Sequence, residues 1–250
     1  FNLGLVFERG TLAPLDLQKA QDWYRKAAKQ GNASAALNLG IMIDDGKAVA
    51  NHPGELSELF SLAAEAGLPY AQNRMGTIFQ NGEGFPKDFG KAFAWYEKAA
   101  AKGFALGIFN LGFMYENGLG VEADPAMALK LYEQAARDGE DDGCVGLGNM
   151  LWKGNGVTAD PVAAAKWFRK AADRGNVMAM HNLAVMYRNG EGLASDPVQS
   201  WAWETIALRV SSSEREREFI GRVRAKLEPK MTPEMKVRAE TIAEKWKPSK

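Results

Sequence analysis

The sequence predicts an all-α protein, a right-handed α/α solenoid of paired helices, on the strength of two observations. Six glycines recur at a fixed interval of 36 residues, at Gly10, Gly46, Gly82, Gly118, Gly154 and Gly190. A second series keeps the same interval, at Gly31, Gly67, Gly103, Gly139 and Gly175. Self-similarity with a period of about 20–50 residues is typical of repeat proteins, whose stacked units build one continuous core.

Each repeat is predicted to contain two helices, which we call helix A and helix B. Residues 105–117 place small and apolar side chains at steps of three and four, the pattern of an amphipathic helix A. A Gly-x-Gly turn interrupts this helix. Asp124 followed by Pro125 predicts the start of helix B, because the carboxylate accepts free backbone N–H groups and proline fits the first turn. Gly139 is expected to end helix B.

Helix B repeats the same residue types at the same positions. Aspartates mark its start, with His52 in their place in the second repeat: Asp16, Asp88, Asp124, Asp160 and Asp196. An aromatic column follows: Tyr24, Phe60, Tyr96, Tyr132 and Phe168. Pairs of alanines come next, for example Ala99 and Ala100. Large rings alternating with alanines predict closely interlocked layers of helices.

Two regions are predicted. Residues 1–210 form six repeats, at about 1–31, 32–67, 68–103, 104–139, 140–175 and 176–211. Residues 211–250 leave the period and are predicted to form a C-terminal helical cap. In this cap Ser213 with Glu216 makes a capping box, which opens a helix to about Leu227, and Thr232 opens a second helix that ends near Trp246. Such a cap shields the apolar side of the last repeat.

Composition limits the classes of partner. Lys plus Arg equals Asp plus Glu, at 31 each, so we expect neither nucleic acid nor an anionic membrane as the main partner. The sequence contains no run of about 18 consecutive apolar residues, so we expect no membrane insertion. Cys144 is the single cysteine, which excludes an internal disulfide framework.

Several phrases resemble a known family. Residues 95–100 (WYEKAA), 167–172 (WFRKAA) and 115–121 (YENGLGV) are similar to Sel1-like repeats, which are related to tetratricopeptide repeats. The resemblance extends over about residues 1–210. It is weakest in the second repeat, where residues 44–47 (DDGK) lack the second loop glycine.

The resemblance implies that helix A lines a concave groove and helix B the convex back. It also implies a non-catalytic scaffold or adaptor that binds another protein or a peptide. A periplasmic or cell-envelope location follows from the resemblance alone, with the cytoplasm as the alternative. End-to-end self-association through the first repeat is a further expectation, because the ends of a solenoid can stack.

Helix-A positions outside the packing columns are the candidate binding residues, because their chemistry varies from repeat to repeat. The candidates are Phe109, Phe113, Glu116, Asn149, Trp152, His181, Val185 and Arg188. Aromatic and arginine side chains make effective interaction anchors. The alternative for Phe109, Phe113 and Trp152 is that they fill gaps between neighbouring helices. Asn38, Asn110 and Asn182 also recur, and we expect their amides to bond backbone groups within the layer.

No catalytic, cofactor or metal site is predicted. A helix precedes each Gly-x-Gly loop, whereas a dinucleotide site needs a strand there. His52 and His181 lack neighbours at metal-ligand spacing, and Cys144 lacks a basic partner in sequence. Three alternatives to the scaffold remain: an immunity protein that occludes a toxin, a carbohydrate-binding envelope protein, and a hydrolase. The hydrolase would need carboxylates such as Glu8 and Glu116 to converge.

Overall fold

The structure is a computed structural model that describes residues 1–249, and no strand occurs within that range. The all-α prediction is therefore confirmed. The chain divides into two compact units, one from Phe1 to Ala123 and the other from Asp124 onward. None of the helices in residues 1–249 is both long and apolar enough to cross a bilayer.

The first unit contains seven helices, each packed on the next along the chain. They are α1 (Asn2–Arg9), α2 (Leu17–Lys29), α3 (Ala33–Asp44), α4 (Glu55–Glu65), α5 (Pro69–Asn81), α6 (Phe89–Ala101) and α7 (Ala105–Asn117). Odd-numbered helices occupy the helix-A positions of the sequence, and even-numbered helices occupy the helix-B positions. Helix α5 also contacts α7, so neighbouring A helices lie side by side.

The second unit continues the same alternation of helices A and B. It contains α8 (Pro125–Arg137), α9 (Asp141–Lys153), α10 (Pro161–Asp173), α11 (Val177–Asn189), α12 (Pro197–Val210), α13 (Glu214–Ala225), a 3₁₀ turn (Glu228–Lys230) and α14 (Pro233–Lys245). Helices α13 and α14 pack on α12. The apolar contact between α12 and the segment after α13 buries Trp201, Leu227, Met231 and Ala239. The cap thus covers apolar side chains of α12.

The predicted helix boundaries have clear local causes. Side chains of Asp16, Asp88, Asp124, Asp160 and Asp196 accept backbone N–H groups at the starts of the B helices. Gly118 ends α7 with φ 63°, in the left-handed region that favours glycine. Gly120 has φ 72°, and a Cβ there would lie 2.3 Å from the carbonyl oxygen of Phe89. The Gly-x-Gly loop is therefore a structural turn.

The second repeat departs from the prediction at His52. This residue does not cap helix B, because α4 begins three residues later, at Glu55, after the N-cap residue Gly54, which makes no side-chain cap bond. Residues 51–54 form a turn instead, in which the Asn51 N–H donates to the Glu55 carboxylate at 2.6 Å. Arg25 of α2 donates to the same carboxylate from Nε at 2.7 Å. This charged contact holds the shortened helix in place.

The cap follows its prediction with one difference. Ser213 accepts the backbone N–H of Glu216, as in a capping box. In a full capping box the Glu216 carboxylate would accept the Ser213 N–H. Here it accepts the Ser211 hydroxyl instead, at 2.7 Å. Thr232 caps α14 as expected.

Candidate functional site

Close contact between helices A and B sets the orientation of the candidate face. A Cβ on Gly76 would lie 2.5 Å from the ring of Tyr96, and one on Gly148 would lie 2.6 Å from the ring of Phe168. Only glycine permits this approach. In α5 and α9 it anchors one side of the helix against a buried ring, and the residue after the glycine, Thr77 or Asn149, stays half-buried. We call the half-buried side of the A helices the A-helix face; seven of the eight candidates lie on it, and His181 is buried.

The first unit carries three of the eight candidates, all on α7. Phe109, Phe113 and Glu116 are half-buried. The carbonyl oxygen of Phe113 accepts the amide of Asn117 at 2.8 Å. Between the two phenylalanines, Asn110 donates from Nδ2 to Oδ1 of Asn73 on α5 at 2.8 Å. The aromatic side chains therefore stand beside a polar link that joins neighbouring A helices.

The second unit carries the other five candidates, on α9 and α11. Asn149, Trp152, Val185 and Arg188 are half-buried. Asn182 of α11 donates from Nδ2 to Oδ1 of Asn149 at 3.2 Å, which links the two A helices. The structure thus brings an indole, an amide, a valine and a guanidinium onto two adjacent helices.

The recurring asparagines bond differently from the prediction. Asn110 and Asn182 donate to side-chain amides of the neighbouring A helix. Asn38 donates to the hydroxyl of Tyr24 at 3.2 Å. The expectation of backbone partners was wrong, because Asn110 and Asn182 face side-chain amides of the neighbouring A helix and Asn38 faces the Tyr24 hydroxyl of α2.

Trp152 is fixed at two points. Its Nε1–H donates to the Glu191 carboxylate at 2.6 Å, and the other carboxylate oxygen accepts the Asn189 amide at 3.0 Å. Its ring meets Phe168 edge to face, with centroids 5.9 Å apart. The side chain is therefore held in one orientation while part of it stays accessible. It combines the two roles that the sequence left open, a packed side chain and a presented one.

His181 lies apart from the open surface. It is 8% exposed, its Nδ1 is 3.0 Å from the Glu204 carboxylate, and its ring meets Phe219 of the cap edge to face. Burial raises the pKa of Glu204, and the hydrogen bond with His181 opposes that rise. His181 is therefore not part of the accessible surface of α11.

Sequence reasoning missed the acceptors that satisfy the buried tyrosines. The Tyr24 hydroxyl donates to Glu8 at 2.5 Å, and the Tyr96 hydroxyl donates to Gln80 at 2.8 Å. Each acceptor lies 16 residues before its tyrosine. This spacing is visible in the sequence. A glutamate or glutamine stands 16 residues before Tyr24 and Tyr96, whereas Trp152 stands 16 residues before Phe168, which has no hydroxyl. Glu8 and Gln80 of the varied helix-A columns thus also serve the core.

A cavity of about 350 Å³ opens on the A-helix face of the first unit. It is lined by Leu5, Glu8 and Arg9 of α1 and by Asn38 and Ile41 of α3. Leu5 and Ile41 form the apolar part of its wall, and Glu8, Arg9 and Asn38 form the polar part, a combination that suits a side chain or a short peptide segment.

Cys144 is a free, buried thiol on α9. Burial raises the pKa of the Cys144 thiol, which disfavours the nucleophilic thiolate. Within residues 1–249, no three His, Cys, Asp or Glu side chains gather in a geometry that could hold a metal ion.

The chain is similar to known repeat proteins along most of its length. The family model described as Sel1 repeat matches residues 1–32, 69–104, 105–140, 141–176 and 177–203. The unmatched interval contains the divergent second repeat, although α3 and α4 are present there. A comparison with curated proteins yields no match.

Solved structures show the same architecture. The protective antigen c5321 of uropathogenic Escherichia coli, which displays an SLR fold, is similar with a TM-score of 0.85 and 32% identity, over 98% of this chain and 52% of that one. The chain thus spans about half the length of that protein. A Sel1 repeat protein from Oxalobacter formigenes is similar with a TM-score of 0.77 and 29% identity, over 85% of this chain and 84% of that one. Immunity protein PA5088 from Pseudomonas aeruginosa is similar with a TM-score of 0.50 and 18% identity, over 92% of this chain and 83% of that one, a level that shows the fold alone.

Proposed function

This chain belongs to the Sel1 repeat family, and we propose that it is a non-catalytic scaffold that binds a partner protein or peptide on its A-helix face. The observation that carries the proposal is the fixed, half-buried side chain of Trp152. Its hydrogen bond to Glu191 and its contact with Phe168 hold the ring before any partner arrives. A preordered aromatic side chain loses little conformational entropy on binding, which makes it an effective anchor.

The neighbours of Trp152 define the chemistry of the proposed partner. Val185 on α11 extends the apolar surface, and Arg188, one turn later, adds a cation. Asn149 supplies an amide on the other helix. A partner segment that presents an apolar side chain next to an acidic one would match this arrangement.

The first unit has candidate contact residues of its own. Phe109, Phe113 and Glu116 lie on α7, and the cavity between α1 and α3 offers a place for a side chain. The alternatives raised by the sequence gain less support. The likeness to PA5088 concerns the fold and says nothing of a toxin partner for this chain. Carbohydrate binding would need broadly exposed ring faces, whereas Phe113 and Trp152 are half-buried.

Affinity capture with matched variants tests the proposal. The immobilised parent, Trp152→Ala and Trp95→Ala are each incubated with lysate of the source organism, and retained proteins are quantified by mass spectrometry. Trp95 is the matched control, because it is a half-buried tryptophan on a B helix, α6. The Lys98 Nζ lies 3.8 Å from the centroid of its ring. A partner retained by the parent and the control, and lost about tenfold or more by Trp152→Ala, supports the proposal. Equal retention by all three overturns the assignment of the site to the A-helix face.

A further inference from the structure

A second cavity lies between α8, α9 and α10 of the second unit. The same positions can be compared with their counterparts one repeat later. One position of helix A contacts a B helix, as Tyr115 does with Phe93 of α6 and Tyr187 does with Arg169 of α10. The six residues of this column are Phe7, Ile43, Phe79, Tyr115, Leu151 and Tyr187. Four of them are aromatic, and Leu151 is one of the two that are not.

The place around Tyr187 is filled. Arg169 of α10 donates from Nη2 to the Tyr187 hydroxyl at 2.7 Å. The same guanidinium lies 4.7 Å from the centroid of the Trp203 ring on α12. Arg169 therefore contacts both Tyr187 and Trp203, and a separate cavity of about 220 Å³, lined by Leu183 and Leu193 among others, borders this cluster.

One repeat earlier, the equivalent three positions hold Glu133, Leu151 and Trp167, each 36 residues before its counterpart. Leucine is shorter than tyrosine, and glutamate is shorter than arginine. A cavity of about 270 Å³ remains, lined by Glu133, Arg137, Leu147, Leu151 and Trp167. We call it the α8–α10 crevice. It is smaller than the roughly 300–1,000 Å³ of ordinary small-molecule pockets, so it suits one inserted side chain.

The polarity of the α8–α10 crevice is inverted relative to its filled counterpart. Arg169 donates to a phenol oxygen, whereas Glu133 can only accept when ionised. Leu147, Leu151 and Trp167 provide an apolar interior, and Arg137 lies at the rim, 3.6 Å from the Glu133 carboxylate. The apolar walls disfavour a fully charged guest, and the rim arginine disfavours a cation. The acceptor that remains favours a neutral aromatic group with one donor.

We propose that the α8–α10 crevice binds a tyrosine side chain of a partner protein. The ring of the guest tyrosine lies between Leu151 and Trp167, which are the counterparts of Tyr187 and Trp203 in the next repeat. The hydroxyl of the guest donates to Glu133. The guest is a protein side chain because the equivalent space is filled by a tyrosine that enters from a helix. Residues of α8 and α10 form this site together with Leu147 and Leu151 of α9, and Trp152 does not line it. Its test is therefore independent of the function proposed above.

Methyl NMR tests this assignment with defined probes. The intact chain, with ¹³C-labelled leucine methyl groups, is titrated with N-acetyl-tyrosinamide and with N-acetyl-phenylalaninamide. Saturable shifts of the Leu147 and Leu151 methyls are expected with the tyrosine probe, with a dissociation constant on the order of 1 mM. The phenylalanine probe is expected to bind about threefold or more weakly, because it cannot donate to Glu133. Glu133→Gln is expected to reduce this preference.

Two variants control for the position of the site. Leu151→Tyr fills the crevice from within and is expected to weaken probe binding about tenfold or more, with the shifts followed at Leu147. Ile43→Tyr makes a comparable change in the same column of the first unit and is expected to leave binding unchanged. Equal binding by the parent and Leu151→Tyr, equal binding of both probes, or no saturable shift each overturn the proposal. Binding of p-cresol without N-acetyl-tyrosinamide would also overturn it, in favour of a free phenol.

Discussion

His181 and Glu204 form a buried pair, with Nδ1 of the histidine 3.0 Å from the carboxylate. Glu204 occupies the helix-B position that holds an aromatic ring in each of the five earlier repeats, and Ala184 stands where those repeats have glycine. Phe219 of the cap covers the histidine. The last repeat therefore exchanges the ring-on-glycine contact for a polar pair that the cap seals.

Removing one partner of this pair should destabilise the protein. Glu204→Ala is expected to lower the free energy of unfolding by about 3 kcal/mol, because it leaves a buried imidazole without its partner. Urea denaturation followed by circular dichroism measures the change. Glu240→Ala serves as the control, since its ion pair with Arg209 is exposed and should be worth less than about 1 kcal/mol. Equal losses in the two variants would contradict the importance of the buried pair.

The same pair predicts a pH dependence of stability. Burial raises the pKa of Glu204 above its ordinary 4.5, against the opposing effects of His181, Arg188 and Arg224. Between pH 4.5 and the raised value, the folded state holds a proton that the unfolded state has released. The contribution of Glu204 to stability is therefore expected to fall as pH rises through that window.

Urea midpoints of the parent and of Glu204→Gln, measured from about pH 4 to about pH 8, test this sign. The parent is expected to lose stability relative to the variant as pH rises, and the difference should then level off. A parent that gains stability relative to Glu204→Gln across this range would show that the folded state lowers the pKa of Glu204.

The tyrosine acceptors should behave as coupled pairs. Glu8→Ala is expected to cost about 1–3 kcal/mol of unfolding free energy, because it leaves the buried Tyr24 hydroxyl without the acceptor at 2.5 Å. The double variant Glu8→Ala/Tyr24→Phe should recover part of that loss. A double-mutant cycle by urea denaturation measures the coupling, and strictly additive losses would mean that the hydrogen bond contributes nothing.

Close helix packing predicts opposite effects of two glycine substitutions. Gly148→Ala is expected to destabilise the protein by about 1–3 kcal/mol, because its Cβ would lie 2.6 Å from the Phe168 ring. Gly221→Ala is expected to raise stability by up to about 1 kcal/mol, because this position of α13 has nothing within 4 Å of an added Cβ. Thermal unfolding of both variants distinguishes the two effects. Similar melting temperatures would show that the A–B contact relaxes without cost.

The sequence was sufficient for the helices because each signal is local and repeated. The expected helix at 105–117 is α7 to the residue, and the Asp–Pro starts at Pro125, Pro161 and Pro197 each begin a helix. The start of α4 was less predictable, because the second repeat lacks the aspartate that starts the other B helices. Helix α4 begins at Glu55, whose carboxylate accepts from Arg25, 30 residues away.

The environment of the candidate site was less predictable, because it depends on contacts outside the period. His181 follows the column of open candidates, but Phe219, which covers it, lies in the aperiodic cap. Trp152 depends on Glu191 in the loop that follows the next A helix, 39 residues later. Neither partner is implied by the composition of one repeat. The spacing of 16 residues between acceptors and tyrosines shows that some inter-helix chemistry was nonetheless readable.

Site-specific photocrosslinking tests partner binding on the A-helix face. Benzoylphenylalanine is introduced at Arg188, which is half-buried on α11, or at Glu97, which is exposed on α6 of helix-B type and does not line the α8–α10 crevice. Each protein is irradiated in lysate with its bound partner. A covalent adduct with the partner is expected from position 188, with little or none from position 97. A strong adduct from position 97 with none from position 188 would contradict binding on the A-helix face.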